Sequence, residues 1–287
     1  MALDIATNMG ALETETNLAS SSAGLQTEYQ RLSSGLRINT AADDAAGLAI
    51  AENLNADTRV AAVAIRNAND GVSIISITDG AIGQITNILD RLAELASQSA
   101  NGVYSNGQRS ALALEYNALS SEIERIAITT TFNGLDLLSG GGSVTFQVGF
   151  DGSSNSTITY NGVAATLQSM GLAAAGSSVP LYSIISDSVV DSQSAAQQAL
   201  DAINAAITSL TRNRGTLGAA ESRLETSINN LQIESQNDTN AESQIMDADV
   251  AQESSQMTRL TILQQAGVAV LAQANQQPAL ALRLLQS

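Results

Sequence analysis

Ile203, Leu210, Leu217, Leu224 and Leu231 stand seven residues apart in an unbroken series, with Ile207 and Ile228 widening the stripe. A heptad repeat of large aliphatic residues suits a long helix that presents one seam to a partner, and little else. The same spacing recurs in Ile75, Ile82, Leu89 and Ala96, with Thr78, Ile85 and Leu92 at the intermediate position. It appears again near the start, in Leu18, Leu25 and Leu32, with Tyr29 and Leu36 extending the seam. The chain is therefore predicted to be mainly α: a long helical coiled-coil bundle formed by its N- and C-terminal regions, with a small β-hairpin region and a short outer insert.

Composition decides how thick that bundle can be. Apolar residues make up 44% of the 287, yet there are only three Phe, five Tyr and no Trp. Ala, Leu, Ile and Val fill the seams, which favours helices packed side by side over a thick enzyme core.

Between the first two helical stretches lies RLSSGLRINTAADDAAGLA, Arg31 to Ala49. Gly35 interrupts the seam, Asn39 and Thr40 are turn formers, and Asp43 and Asp44 put negative charge at the start of the next helix. Residues 1–44 thus read as a terminal helix and connector. From residue 45 to Ala100 nothing stops a helix, which at 1.5 Å per residue would run about 80 Å. Gly71, Gly80 and Gly83 either bend it or admit another backbone.

Asn101-Gly102 and Asn106-Gly107 mark a reversal, and Leu112, Tyr116, Leu119, Ile123 and Ile126 carry a returning helix, which closes a segment 45–138. Val144, Phe146, Val148 and Phe150 alternate with polar residues and Gly149, and Asp151-Gly152 leads to Thr157–Tyr160, a hairpin pattern. The rest of 139–187, with Pro180, reads as a surface insert. A helix returns over 188–246, and 247–287 forms a last helix with Pro278 near a break. Its apolar residues Leu260, Leu263 and Leu271 need a partner, and the N-terminal helix, itself unpartnered, supplies one.

Charge and missing residue types exclude several functions. The net charge is −16, and the twelve basic residues, all arginine, are scattered with no basic stripe, so no nucleic-acid partner is expected. Without Cys there is no disulfide and no thiolate, and without His the usual base and metal ligand are missing. The carboxylate pairs Asp43/Asp44, Glu122/Glu124 and Asp247/Asp249 do not face one another on a helix, so none is an acid–base dyad. No catalytic residue, cofactor, metal or membrane span is expected. The N-terminus has no secretory leader pattern.

RLSSGLRINTAADDAAGLAIA, NANDGVSIISITDGA, LDRLAELASQSANG, TTFNGLDLL and, at the other end, AESQIMDADVAQESSQMTRLTILQQAGVAVLAQANQQPALALRLL appear in one order. In these motifs the chain resembles bacterial flagellin, as a short member with a reduced central region. The resemblance implies a filament subunit with Leu18, Leu25, Leu32, Leu260, Leu263 and Leu271 packing an inner tube. It implies a shell core at Ile82, Leu89, Leu92, Leu210, Leu217 and Leu224, joined through a connector at Gly35, Asn39, Asp43 and Asp44.

The partners so implied are further copies of the chain, the flagellar cap and hook–filament junction proteins, an export chaperone and the flagellar secretion apparatus. The location implied is the extracellular filament, reached without a cleaved signal peptide. A junction adaptor with similar terminal helices is the alternative. Arg91, Leu95 and Glu115 match family positions for contact with a vertebrate Toll-like receptor, while Asp90, Ala93 and Ser97 depart from the commonest pattern there.

Overall fold

The computed structural model describes residues 7–140, 142–174, 184 and 189–285. Among the described residues it has five helices: α1 Met9–Ser34, α2 Ala45–Ala100, α3 Asn106–Thr129, α4 Val189–Met246 and α5 Val250–Leu285. Strands β1 Thr131–Phe132 and β2 Leu135–Asp136 form one antiparallel pair, and β3 Val144–Gln147 and β4 Thr157–Tyr160 another. The protein is mainly α. Two compact units divide the chain, one of Met1–Thr58 with Gln236–Ser287 and one of Arg59–Ser235.

The second unit is built on the heptads. Ile75, Ile82, Leu89 and Ala96, with Thr78, Ile85 and Leu92, are all buried, as are Ile203, Leu210, Leu217, Leu224 and Leu231. Thr78 tolerates burial because its hydroxyl donates to the Ile74 carbonyl at 2.7 Å. An 18-residue window of α2 has a mean hydropathy of 1.2, so this helix is long and apolar enough to cross a bilayer. That revises the expectation from sequence, and the physical reason is that several α2 side chains, such as Ile75 and Ile82, fill a protein core.

At Gly71 side chains approach in place of the other backbone the sequence suggested: a β-carbon there would lie 3.0 Å from Leu224 and 3.2 Å from Phe146, so α4 and β3 side chains occupy that space. Gly80 and Gly83 have nothing within 4 Å.

The reversal after α2 is shorter than expected. Asn106 and Gly107 belong to the first turn of α3, and Ser105 closes its start, its backbone N–H donating to the Gln108 carboxamide at 2.9 Å. Asn133, at φ 48, and Gly134, at φ 78, turn β1 into β2, a hairpin that the Asn-Gly pair signals.

Residues 139–187 are not all outward-facing. Val163, Ala165, Leu167, Leu172 and Ala173 are buried in the same core, with the Leu167 N–H donating to Glu124 at 2.9 Å. Residues 175–183 and 185–187 of that insert, Pro180 among them, lie outside the described residues, as do residues 1–6 at the start of the terminal segment. α5 continues through Pro278, whose missing N–H does not end it.

Candidate functional site

α1 and α5 pair in the first unit, from Arg31 with Glu253 at one end to Asn8 with Ala274 at the other. Asn8 caps α1 by accepting from Ala11 N–H at 3.1 Å, and its amide nitrogen donates across to the Ala274 carbonyl at 2.9 Å. Leu18, Leu25 and Leu32 lie on the facing side of α1, with Leu25 the most buried. On α5 Glu253, Met257, Leu260, Gln264, Gly267, Leu271 and Ala274 are protected at steps of four and three, flanked by the partly buried Ser254, Gln256 and Thr261. Leu260 faces Gly24 and Leu18 faces Gly267, so each helix offers a glycine hollow to a leucine of the other. The sequence shows Gly24 only as a weak point in a helix; its use as a socket appears in the pairing.

Leu263 is not on this seam. It is 50% exposed because Gln264, four residues beyond Leu260, takes the inward position and donates to the Ser22 hydroxyl at 3.3 Å. Tyr29, expected along the α1 seam, is 55% exposed for the same kind of reason, since Glu28 stands inward beside Leu25 and Leu32. Outward-facing apolar residues also include Met9 and Leu12 on α1 and Ile262, Val268 and Val270 on α5.

The connectors leaving α1 and α4 are joined backbone to backbone. Gly35, at φ 74, ends α1, its N–H donating to the Arg31 carbonyl at 2.8 Å. Its carbonyl accepts from Ala248 N–H at 2.9 Å, and Arg37 N–H donates to the Met246 carbonyl at 2.6 Å, around an antiparallel bridge of Leu36 with Asp247. The Arg37 guanidinium adds a bond to the Ile245 carbonyl at 2.6 Å.

The two aspartates then divide the turn between them. Asp43 accepts from the Thr40 N–H at 2.9 Å, the Thr40 hydroxyl at 3.0 Å and the Asn39 N–H at 3.2 Å, and these bonds, Thr40's backbone first, hold its carboxyl below the usual range. Asp44 caps α2, accepting from Gly47 N–H at 2.9 Å and Ala46 N–H at 3.1 Å. Asn39 contributes a bond to the Leu36 carbonyl at 3.2 Å. Asp249 repeats the cap at α5, accepting from Ala251 N–H at 2.9 Å.

In the second unit Ile82, Leu89, Leu92, Leu210, Leu217 and Leu224 share one core. Arg91 and Glu115 meet on the surface at 2.9 Å, with Glu94 2.6 Å from the same guanidinium. Leu95 is 1% exposed and belongs to the core, so the structure does not bring it out beside that pair. Sequence reading also passed over Arg109, which is completely buried and donates to the Ser99 carbonyl at 2.8 Å and the Asn101 carbonyl at 2.9 Å. It caps the end of α2.

No group of His, Cys, Asp or Glu suited to a metal is present among the described residues. Two chain ends locked together, with large apolar side chains still outward, define a helical assembly subunit. The N-terminal helical region of bacterial flagellin matches residues 5–143 and its C-terminal helical region matches residues 200–285. The chain is 39% identical to a flagellin of Halalkalibacterium halodurans over 280 residues, 97% of this chain and 98% of that one.

It is 36% identical to a flagellin of Bacillus subtilis over 301 residues, again covering 97% of this chain and 98% of that one. The flagellar filament 30.7 kDa core protein of Treponema maltophilum is 36% identical over 286 residues, 97% of this chain and 98% of that protein. The crystal structure of Bacillus cereus flagellin is 28% identical, with a TM-score of 0.48 over 58% of this chain and 88% of that one. The chain belongs to the bacterial flagellin family and is a structural protein of the flagellar filament.

Proposed function

We propose that pairing of α1 with α5 is the step that makes a subunit competent to join the filament, with the terminal pair lining an inner tube and the second unit forming the shell. The observation that carries this reading is the outward apolar set on the pair, Met9, Leu12, Ile262, Leu263, Val268 and Val270, which water does not favour and neighbouring copies would cover. The work of the chain is self-association, without a reaction. With a formal charge of −16, that association is aided by salt.

The implied path is export through the flagellar apparatus with a chaperone, followed by addition under a cap beyond the hook–filament junction proteins. Relatives named as flagellins and aligned over 97% of the chain support the filament subunit over the junction adaptor. Receptor recognition would rest on the exposed Arg91–Glu115 pair, with Leu95 acting through the packing beneath.

Deleting residues 271–287 tests the main reading. Electron microscopy of seeded protein in salt should show filaments from the full chain and none from the truncation, while circular dichroism retains the helices of the second unit. Normal filaments from the truncation would refute it, and short rings from the full chain would favour the adaptor.

A further inference from the structure

In the second unit the two sides of the hairpin formed by β3 and β4 differ in character. Between it and α2 lies an open hollow of about 270 Å³ lined by Val60, Val63 and Ala64, by Asn67 and Gln147, and by Arg59. Val60 and Val63 are 39% and 46% exposed. Between the hairpin and α4, Phe150 and Leu231 share their surface with Asp151 and Glu234. One side therefore joins aliphatic surface to a cation, and the other joins an aromatic ring to two carboxylates.

The loop that carries Phe150 is closed by bonds of its own. Val148 N–H donates to the Ser156 carbonyl at 2.8 Å, Gln147 Nε2 donates to the Gly149 carbonyl at 3.2 Å, and the Ser153 and Ser156 hydroxyls donate to the Asp151 carboxylate. A β-carbon on Gly149 would stand 2.9 Å from the Ser156 backbone, so the loop closes this tightly only with glycine there. Of the three Phe, Phe146 is buried and Phe132 packs against the core, while Phe150 stays 37% exposed. A ring presented on a preorganised loop loses little freedom when it is covered. Arg59 and Glu234 are exposed as well, and neither takes part in an ion pair among the described residues.

We propose that these two sides meet head to tail between copies of the chain. Phe150 of one copy enters the hollow lined by Val60 and Val63 on a second, whose Arg59 then faces Glu234 and Asp151 of the first. A benzene ring is held by a cavity of about 150 Å³, so the hollow has room for it. Because the two sides are unlike, each contact leaves one free side on either copy, and the series continues without closing into a pair. Opposite charges at the contact fix its direction in a chain whose net charge of −16 otherwise repels its copies. All of these residues lie in the second unit, so the contact is separate from the pairing of α1 with α5.

The chain has no cysteine, which makes cross-linking a clean test. Val63→Cys and Phe150→Cys are made as two full-length proteins, copolymerised and oxidised, and linked peptides are identified by mass spectrometry. The mixture should give a dimer joining position 63 to position 150 in several-fold higher yield than the dimers of either protein alone. Equal yields of like with like, or no mixed dimer from intact filaments, would overturn the contact.

A charge exchange tests the same contact without touching the ring. Arg59→Glu and Glu234→Arg should each raise the critical concentration for polymerisation several-fold with an unchanged circular dichroism signal. The double variant should return close to the wild-type value. An effect of net charge alone would instead lower the critical concentration of Glu234→Arg, which makes the chain less acidic, and that result would overturn the contact. So would a double variant that polymerises no better than the two singles.

Discussion

A methyl of Leu260 lies 3.3 Å from the point where a β-carbon would stand on Gly24. The counterpart, Leu18 against Gly267, has 3.5 Å and therefore ordinary contact distance. The two sockets should respond differently to filling. Gly267→Ala adds helix propensity without a clash and should stabilise the pair by about 0.5–1 kcal/mol. Gly24→Leu overfills its socket and should cost about 1–3 kcal/mol. Critical concentrations for polymerisation should fall for the first variant and rise for the second.

Arg109 gives a prediction for the second unit. Its two bonds, to Ser99 in the last turn of α2 and to Asn101 just beyond it, are charge-assisted, each of a kind worth about 1.5–3 kcal/mol, and removal strands the Ser99 carbonyl in a buried place. Arg109→Met should lower stability by about 3 kcal/mol in urea unfolding. Arg109→Lys should recover little of it, since an ammonium cannot span both carbonyls with the same fork.

Asp79 and Arg214 join α2 to α4 through two bonds of 2.7 and 2.9 Å, with side chains 38% and 46% exposed. The hydrogen bond from Arg214 is the main cause holding the Asp79 carboxyl below 3.8. Its contribution is present above that value and is lost as pH falls through the lower folded one. Solvent screening keeps it to no more than about 1 kcal/mol. Asp79→Asn should leave thermal unfolding nearly unchanged at neutral pH and weaken the acid dependence of the unfolding temperature.

The α2 cap separates two residues that look alike in sequence. Asp44→Ala removes the acceptor for two N–H groups and should destabilise the first unit by about 1 kcal/mol, whereas Asp44→Asn should retain most of the cap. Gly47→Ala should behave like the loss of the cap, because its methyl would stand 2.6 Å from the Asp44 carboxylate and 2.9 Å from Ile38. Chemical unfolding of the three variants checks the order.

Seven-residue spacing made the helices readable, since Ile82, Leu89, Leu210 and Leu217 carry both the helix and its buried face in one pattern. The hairpin of Val144–Gln147 with Thr157–Tyr160 was readable from alternation. What spacing does not convey is which of two adjacent rows faces the partner. Leu263 and Gln264 differ by one step around α5, and the partner helix, with Ser22 at hand, selects the glutamine. The buried Val163, Leu167 and Leu172 lacked any period and so resembled loop. Arg109 was hidden because a cation in a helix is usually solvated, and only the nearby end of α2 gives it partners.

The bond from Asn8 to the carbonyl of Ala274 links residues 266 positions apart. α1 thus finds its mate only after α2, α3 and α4 have been made. Closing so long a loop costs little more than closing one of half the length, but it cannot happen early. A chain cut before α5 would present α1 with no complement, so the pairing acts as a test for the presence of α5 that each molecule performs on itself.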